Sequence, residues 1–137
     1  MKYLITKFKE LFFSEKDILK PLSCYFKAVN LDNINKEEKI EEIIKCFSTN
    51  SIILDSSGNK YEGKEGVRNF YDSNYSPVLK TGFKATPIEE TATKNNEYIS
   101  VVIILQNKET KFKVGDWFKM ENGLIKELHI FKGELKE

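Results

Sequence analysis

Apolar and polar residues follow a helical period through the first half of the chain and alternate with a period of two through the second. In the stretch KFKVGDWFKM, residues 111–120, one face would carry Phe112, Val114, Asp116, Phe118 and Met120. The other would carry Lys111, Lys113, Gly115, Trp117 and Lys119. Such alternation marks a strand with one buried face. Strands are predicted near 80–93, 97–107, 110–121 and 124–132, with hairpin turns at Asn95-Asn96 and Asn122-Gly123. A shorter strand, SIILD at 51–55, runs into SSGNKYEG, in which the residue types signal a turn.

Helical spacing appears in four places. Tyr3, Leu4, Phe8, Leu11 and Phe12 predict an amphipathic helix over 2–13, lying on a membrane surface or packed on the domain or its partner. Lys and Glu are mixed on its polar side, which favours packing. Ser14 and Asp17 resemble a cap, and Pro21 is tolerable only near a helix start, so a second helix begins between 15 and 21 and runs to about Leu31. Leu22, Tyr25, Phe26 and Val29 are its apolar stripe. After the polar break DNINKEE, Ile40, Ile43, Ile44 and Phe47 predict a helix over 36–48. Val67, Phe70 and Tyr71 face inward on a last helix, 64–75, which Pro77 closes. Helices first and antiparallel strands after them predict an α+β domain, with three helices on the concave face of a curved, cone-shaped sheet. The whole chain, 1–137, reads as one domain, with its core at 15–132 and an added helix within 1–14.

Composition narrows the class. Apolar residues make up 40% and charged residues 31%, as in globular domains, and a net charge of +1 gives no footprint for nucleic acid or an anionic membrane. Lys7, Lys9 and Glu10 interrupt the N-terminal apolar run and no small-residue cleavage site follows, so no secretion signal is expected. No apolar run is long enough to span a membrane, and a cytoplasmic location is expected. Cys24 and Cys46 are expected to be reduced thiols, and a single histidine argues against a multi-histidine metal site.

The aspartate on the apolar face of 111–120 poses the functional question. If Asn122-Gly123 is a two-residue turn, Asp116 falls opposite His129, Val114 opposite Phe131, Phe118 opposite Glu127 and Met120 opposite Ile125. Asp116, His129 and Glu127 would then share the inner face. Burying unpaired charge is costly, so they form either a satisfied structural pair or the wall of a polar-lined pocket. Asp55 is open between two roles: starting the SSG turn, or facing the same pocket.

Helix, helix, FSTNSIILDSSGNKYEGKEGVRNFY and a meander ending in GDWFKMENGLIKELHIF resemble the nuclear transport factor 2-like superfamily, in its SnoaL-like and ketosteroid-isomerase-like branch. The resemblance spans about 18–132, and its most diagnostic pieces are residues 63–71 and 116–125. It implies roles for particular positions. Tyr25, five residues before Asn30, would be an oxyanion tyrosine. Asp55, eight after Phe47, would be the general base. Asp116, with Phe118 two on, would be the proton-donating acid, supported by Tyr71 at the end of the third helix. Phe26, Val114, Phe118, Phe131 and Glu127 would line the pocket. His129 departs from the apolar isomerase wall and would favour ionised Asp116, pointing away from a steroid and toward cyclase- or dehydratase-type chemistry.

The expected function is therefore acid/base chemistry beside a carbonyl in a small-molecule pocket. Asp55 would be the base, with Tyr25 and Asp116 as oxyanion donors or Asp116–His129 as a relay, and no cofactor is needed. A non-catalytic ligand-binding module and a dimeric accessory domain are the alternatives. Outward Trp117 suits either a partner or a cover from the N-terminal helix, and the resemblance implies a homodimer through this outer face.

Overall fold

The computed structural model describes residues 20–73, 82–108 and 110–133. The expected helix at 2–13, the proposed cap at Ser14 and Asp17, and Pro77 lie outside these residues. A 3-10 turn, Lys20–Leu22, leads into helix α1, Ser23–Val29; helix α2 is Lys36–Ile44. Strand β1, Phe47–Leu54, and the short β2, Lys60–Glu62, precede helix α3, Gly63–Asp72. Strands β3, Lys84–Ala92, β4, Tyr98–Gln106, β5, Lys111–Glu121, and β6, Leu124–Gly133, complete the fold. They form one six-stranded sheet in the order β2-β1-β6-β5-β4-β3. The β1–β6 pair is parallel and the others are antiparallel. The α+β architecture expected from the sequence is present, with three helices against an open mixed sheet.

Local chemistry sets the ends of these elements. Asn35 and Glu38 form a reciprocal capping box at the start of α2, satisfying donors that the first turn leaves free. The helix ends at Ile44, sooner than the predicted 48, and Phe47 begins a strand instead. The backbone amide of Ile125 donates to the Cys46 carbonyl across the β1–β6 seam, so sheet pairing overrides the helical period there. Residues 60–62, read as part of a turn, pair with β1 as β2. Asn122 and Gly123 both have positive φ, as a two-residue hairpin turn requires. Gly66 is needed for space: a Cβ there would lie 2.6 Å from the Tyr61 carbonyl carbon, so glycine alone lets α3 close on β2.

Two devices tie α1 to the body. The Asn30 side chain both accepts from the Ala85 amide, at 2.7 Å, and donates to the Ala85 carbonyl, at 3.0 Å, acting as a surrogate strand neighbour for β3. On the other flank, Cys24 and Cys46 form a disulfide, which corrects the expectation of reduced thiols. Their spacing of 22 residues along the chain hid the pairing; the turn between α1 and α2 brings their Cα atoms to 5.8 Å.

The β5–β6 register differs from the expected one. Met120 does pair with Ile125 and Glu121 with Leu124, but an extra residue in β6 shifts the remainder: Lys119 pairs with Glu127, Phe118 with Leu128, Trp117 with His129 and Asp116 with Ile130. A one-residue shift exchanges the faces of a strand. His129, Glu127 and Phe131 therefore lie on the outer face, while Leu128 and Ile130 face the helices. The signal was present, since apolar Ile125, Leu128 and Ile130 are spaced by three and then two, which breaks the period between 125 and 128.

The core lies between helices and sheet, built from Leu22, Val29, Ile40, Ile43, Phe47, Ile53, Val67, Ile99, Phe118, Ile125 and Leu128. Closing a loop of about 22 residues restricts the unfolded chain by roughly 3 kcal/mol. Replacing Cys24 with Ser should therefore lower the urea-unfolding free energy by about 2–4 kcal/mol without reductant and change little when a thiol reductant is present.

Candidate active site

The space between α1, α3 and the inner face of the sheet is a cavity of about 430 Å³. Helix α1 supplies Tyr25, Phe26 and Val29, and α3 supplies Phe70 and Tyr71. The sheet supplies Ala85, Ile103, Leu105, Phe112, Val114, Asp116 and Ile130. The turn after β1 contributes Asp55, Ser57 and Asn59, and β2 contributes Tyr61. Ser57 and Asn59 are exposed while Tyr25, Tyr71 and Asp116 are buried, so the turn lies at the mouth and the tyrosines and Asp116 at the floor.

The floor is set by the strand period. Asp116 lies between Val114 and Phe118 on the inner face of β5, only 6% exposed. Its Oδ1 is buried with no hydrogen-bond partner. Among the described residues no cation lines the cavity beside it, and burial pushes its carboxyl up to about 7. The Tyr25 and Tyr71 hydroxyls share a hydrogen bond of 2.5 Å. Burial raises both phenols, and the nearby Asp116 raises them further, so both keep their protons at neutral pH. The Tyr25 ring makes edge contacts with Phe26, Phe47 and Phe118 at 5.3–6.0 Å, which fix the direction of its hydroxyl.

The mouth has a different chemistry. Asp55 follows the last residue of β1 and accepts four hydrogen bonds. The Ser57 and Asn59 amides donate to Oδ1 at 2.9 Å, and the Asn59 side chain (3.1 Å) and the Tyr61 hydroxyl (3.4 Å) donate to Oδ2. Partial burial alone would raise this carboxyl; the Asn59 and Ser57 amides, the Asn59 side chain and Tyr61 outweigh it and hold it below the usual carboxylate range. Asp55 thus closes its own turn as well as lining the cavity.

Of the residues expected at the site, Tyr25, Phe26, Asp55, Tyr71, Val114 and Asp116 do meet around one cavity. His129, Glu127 and Phe131 do not, because the bulge in β6 turns them outward. His129 Nε2 lies 3.1 Å from Glu127 Oε1, and its ring packs edge-on against Trp117 at 4.7 Å, so the expected Asp116–His129 contact is absent. Phe118 is fully buried beneath Tyr25 and does not reach the cavity wall. The expectation also missed Tyr61, hidden in a segment read as a turn, and Ile130, hidden by the register.

Comparison with known proteins defines the fold more closely than the function. No known family profile matches the sequence, and no curated protein matches it. Solved structures do match. A proposed polyketide cyclase from Sinorhizobium meliloti is 16% identical, with 81% of this chain and 93% of that one covered at a TM-score of 0.61. A proposed ketosteroid isomerase from Kribbella flavida is 13% identical, with 89% and 82% covered at 0.65. The chain has the nuclear transport factor 2-like fold. An epoxide hydrolase/cyclase-like enzyme with a role in pyran ring formation in the polyether salinomycin shares it, at 19% identity, 87% and 92% coverage and a TM-score of 0.64. On this fold the cavity lies between the helices and the sheet, with Asp116 at its floor.

A carboxyl raised to about 7 costs the folded state energy wherever the unfolded chain would ionise. From its ordinary value near 3.8 up to about 7, the folded protein holds the proton that the unfolded chain releases. Stability from this group is full below about 4, falls as pH rises to about 7 and is flat above. At roughly 1.4 kcal/mol per pH unit, Asp116→Asn should be more stable than the parent by about 2–4 kcal/mol at pH 8, and by less than about 1 kcal/mol at pH 4, in urea denaturation.

Proposed function

We propose that the cavity binds a small, largely apolar carbonyl compound and transfers a proton at the carbon next to the carbonyl, as an isomerase, cyclase or dehydratase does. The observation that carries this reading is Asp116: a buried carboxyl with an unpaired oxygen in a mainly apolar cavity that it shares with two hydrogen-bonded tyrosine hydroxyls. A general base works best when its pKa lies near the operating pH, and burial brings Asp116 to about 7. Ionised Asp116 takes the proton from carbon. Tyr25 and Tyr71 stay protonated; because their hydroxyls share a hydrogen bond, one donates to the developing enolate oxygen and the other donates to that first hydroxyl. Returning the proton from Asp116 to a different carbon gives isomerisation; passing it to a hydroxyl on the β-carbon, which leaves as water as the double bond forms, gives dehydration.

This reading moves the base from Asp55 to Asp116. Four donors already stabilise the Asp55 carboxylate, which weakens it as a base. Its place on the cavity wall supports a second reading, in which Asp55 is the base and neutral Asp116 donates to the enolate. Among the described residues no cation pairs with Asp116, and His129 lies on the outer face, so the expectation that His129 points the chemistry away from a steroid loses its basis.

Two features concern setting and assembly. No helix among the described residues is long and apolar enough to cross a membrane. The Cys24–Cys46 bond favours an oxidising compartment over the expected cytoplasmic one. On the outer face, Phe131 is 60% exposed, on the side of the sheet that also carries Trp117, Val102 and Gly115. That apolar area supports a homodimer through this face, as the resemblance implied.

The two assignments of the base predict opposite pH slopes. With 3-cyclohexenone as a probe, followed by absorbance of the conjugated product, an Asp116 base gives kcat/KM that rises with pH and levels off above about 7, with Asp116→Asn losing about 1,000-fold or more and Asp55→Asn losing less than about 10-fold. A rate that falls as pH rises through about 7, with Asp55→Asn the more damaging change, supports the second reading. Turnover indifferent to both changes removes the catalytic reading and leaves a binding module. For assembly, sedimentation at micromolar concentration should give a dimer mass and Phe131→Glu a monomer; a monomeric parent counts against the dimer.

A further inference from the structure

The cavity wall carries charge of one sign. Among the described residues no lysine, arginine or histidine lines it, although the chain as a whole has a net charge of +1. Its ionisable groups other than tyrosines are two carboxyls at different depths. Asp116 is at the floor with an unpaired Oδ1. Asp55 is at the mouth, in a turn whose Ser57 and Asn59 are solvent-exposed. The hydrogen bonds from Ser57, Asn59 and Tyr61 hold Asp55 in place and in its charged form, so the mouth presents a fixed negative charge.

Aromatic rings flank that charge. Tyr61 packs edge-to-face against Phe70 at 5.2 Å between centroids, and Phe70 against Tyr71 at 4.7 Å. All three line the cavity. Ring faces attract cations, and an ammonium group beside rings and a carboxylate gains from both. A carboxylate or phosphate on the ligand would instead meet two acidic groups and no counter-charge. An uncharged ligand would bury its apolar body but draw nothing from Asp55.

We propose that the site selects a substrate bearing an amine or quaternary ammonium group, held at the mouth by Asp55, with Tyr61 and Phe70 beside it, while the rest of the molecule reaches the floor. Asp55 is then a specificity-determining residue. The proposal rests on the proposed function for the carbonyl end alone, because the charge preference of the cavity does not require turnover. It also explains why an ionised carboxylate stands in a cavity whose other walls are mainly apolar.

Binding of unreactive probes separates charge from shape. Phenyltrimethylammonium and tert-butylbenzene have nearly the same shape and differ by one positive charge; 4-tert-butylbenzoate supplies the negative case. Calorimetric titration at pH 7.5 and low salt should show the cation binding about tenfold or more tighter than the hydrocarbon, with no measurable binding of the benzoate. Asp55→Asn should cut the cation's advantage to about threefold or less and leave the hydrocarbon unchanged. Asparagine keeps a side-chain oxygen for the Ser57 and Asn59 amides, so the turn is retained. Glu89→Gln, which removes a charge from the outer face, should leave the ratio intact. Equal affinity for cation and hydrocarbon, binding of the benzoate, an unchanged ratio in Asp55→Asn, or no binding of any probe would overturn the proposal. Loss of enone turnover with the cation preference intact would count against the acid–base reading alone.

Discussion

The pairing of β5 with β6 is the constraint on which the remainder of the site depends. These strands lie in the middle of the sheet, and β6 also carries the parallel pairing to β1. The extra residue between Ile125 and Glu127 decides which side chains of β6 meet the helices. With it, Leu128 enters the core and Ile130 the cavity wall. His129 and Glu127 pair with each other on the outside. Asp116 is left facing inward with no counter-charge among the described residues, and burial holds its carboxyl raised.

The helices complete what the strand begins. Tyr25 is held by Phe47 and Phe118 beneath it, by the clamp of Asn30 on Ala85 and by the disulfide at Cys24. Tyr71 is placed by α3, which closes on β2 only because Gly66 has no side chain. The two hydroxyls then meet from separate helices. They share a hydrogen bond on the floor of the cavity, which Asp116 and its unpaired Oδ1 also line. A buried carboxyl with an unpaired oxygen costs stability, and that cost is the ground for reading Asp116 as functional.

Charge is sorted between the two faces of the sheet. Basic and acidic side chains are nearly balanced over the chain, yet the described wall of the cavity has only acidic ones besides its tyrosines. Lys111, Lys113 and Lys119, the cations nearest Asp116 along the strand, alternate to the outer face, and Lys119 lies 5.8 Å from the Tyr98 ring there. The period of two that buries Asp116 therefore also denies it a partner from its own strand.

Much of the architecture was legible from the chain alone. Helical spacing in 22–29, 40–44 and 67–71, the alternation of 111–120 and the Asn-Gly turn are local signals, and each reports the surface an element must bury. They sufficed for the α+β class and for the inward position of Tyr25, Tyr71 and Asp116. The sequence could not show what depends on pairing between distant segments. The bulge in β6 is a choice between two registers, with a weak local cue in the spacing of Ile125, Leu128 and Ile130. The Cys24–Cys46 bond follows from how α1 and α2 dock, and the four donors to Asp55 from a turn closed by β2. The sequence by itself determined which faces are apolar; tertiary structure decided which charged groups share a face, because that is set by register and docking, where one residue of shift reverses the answer.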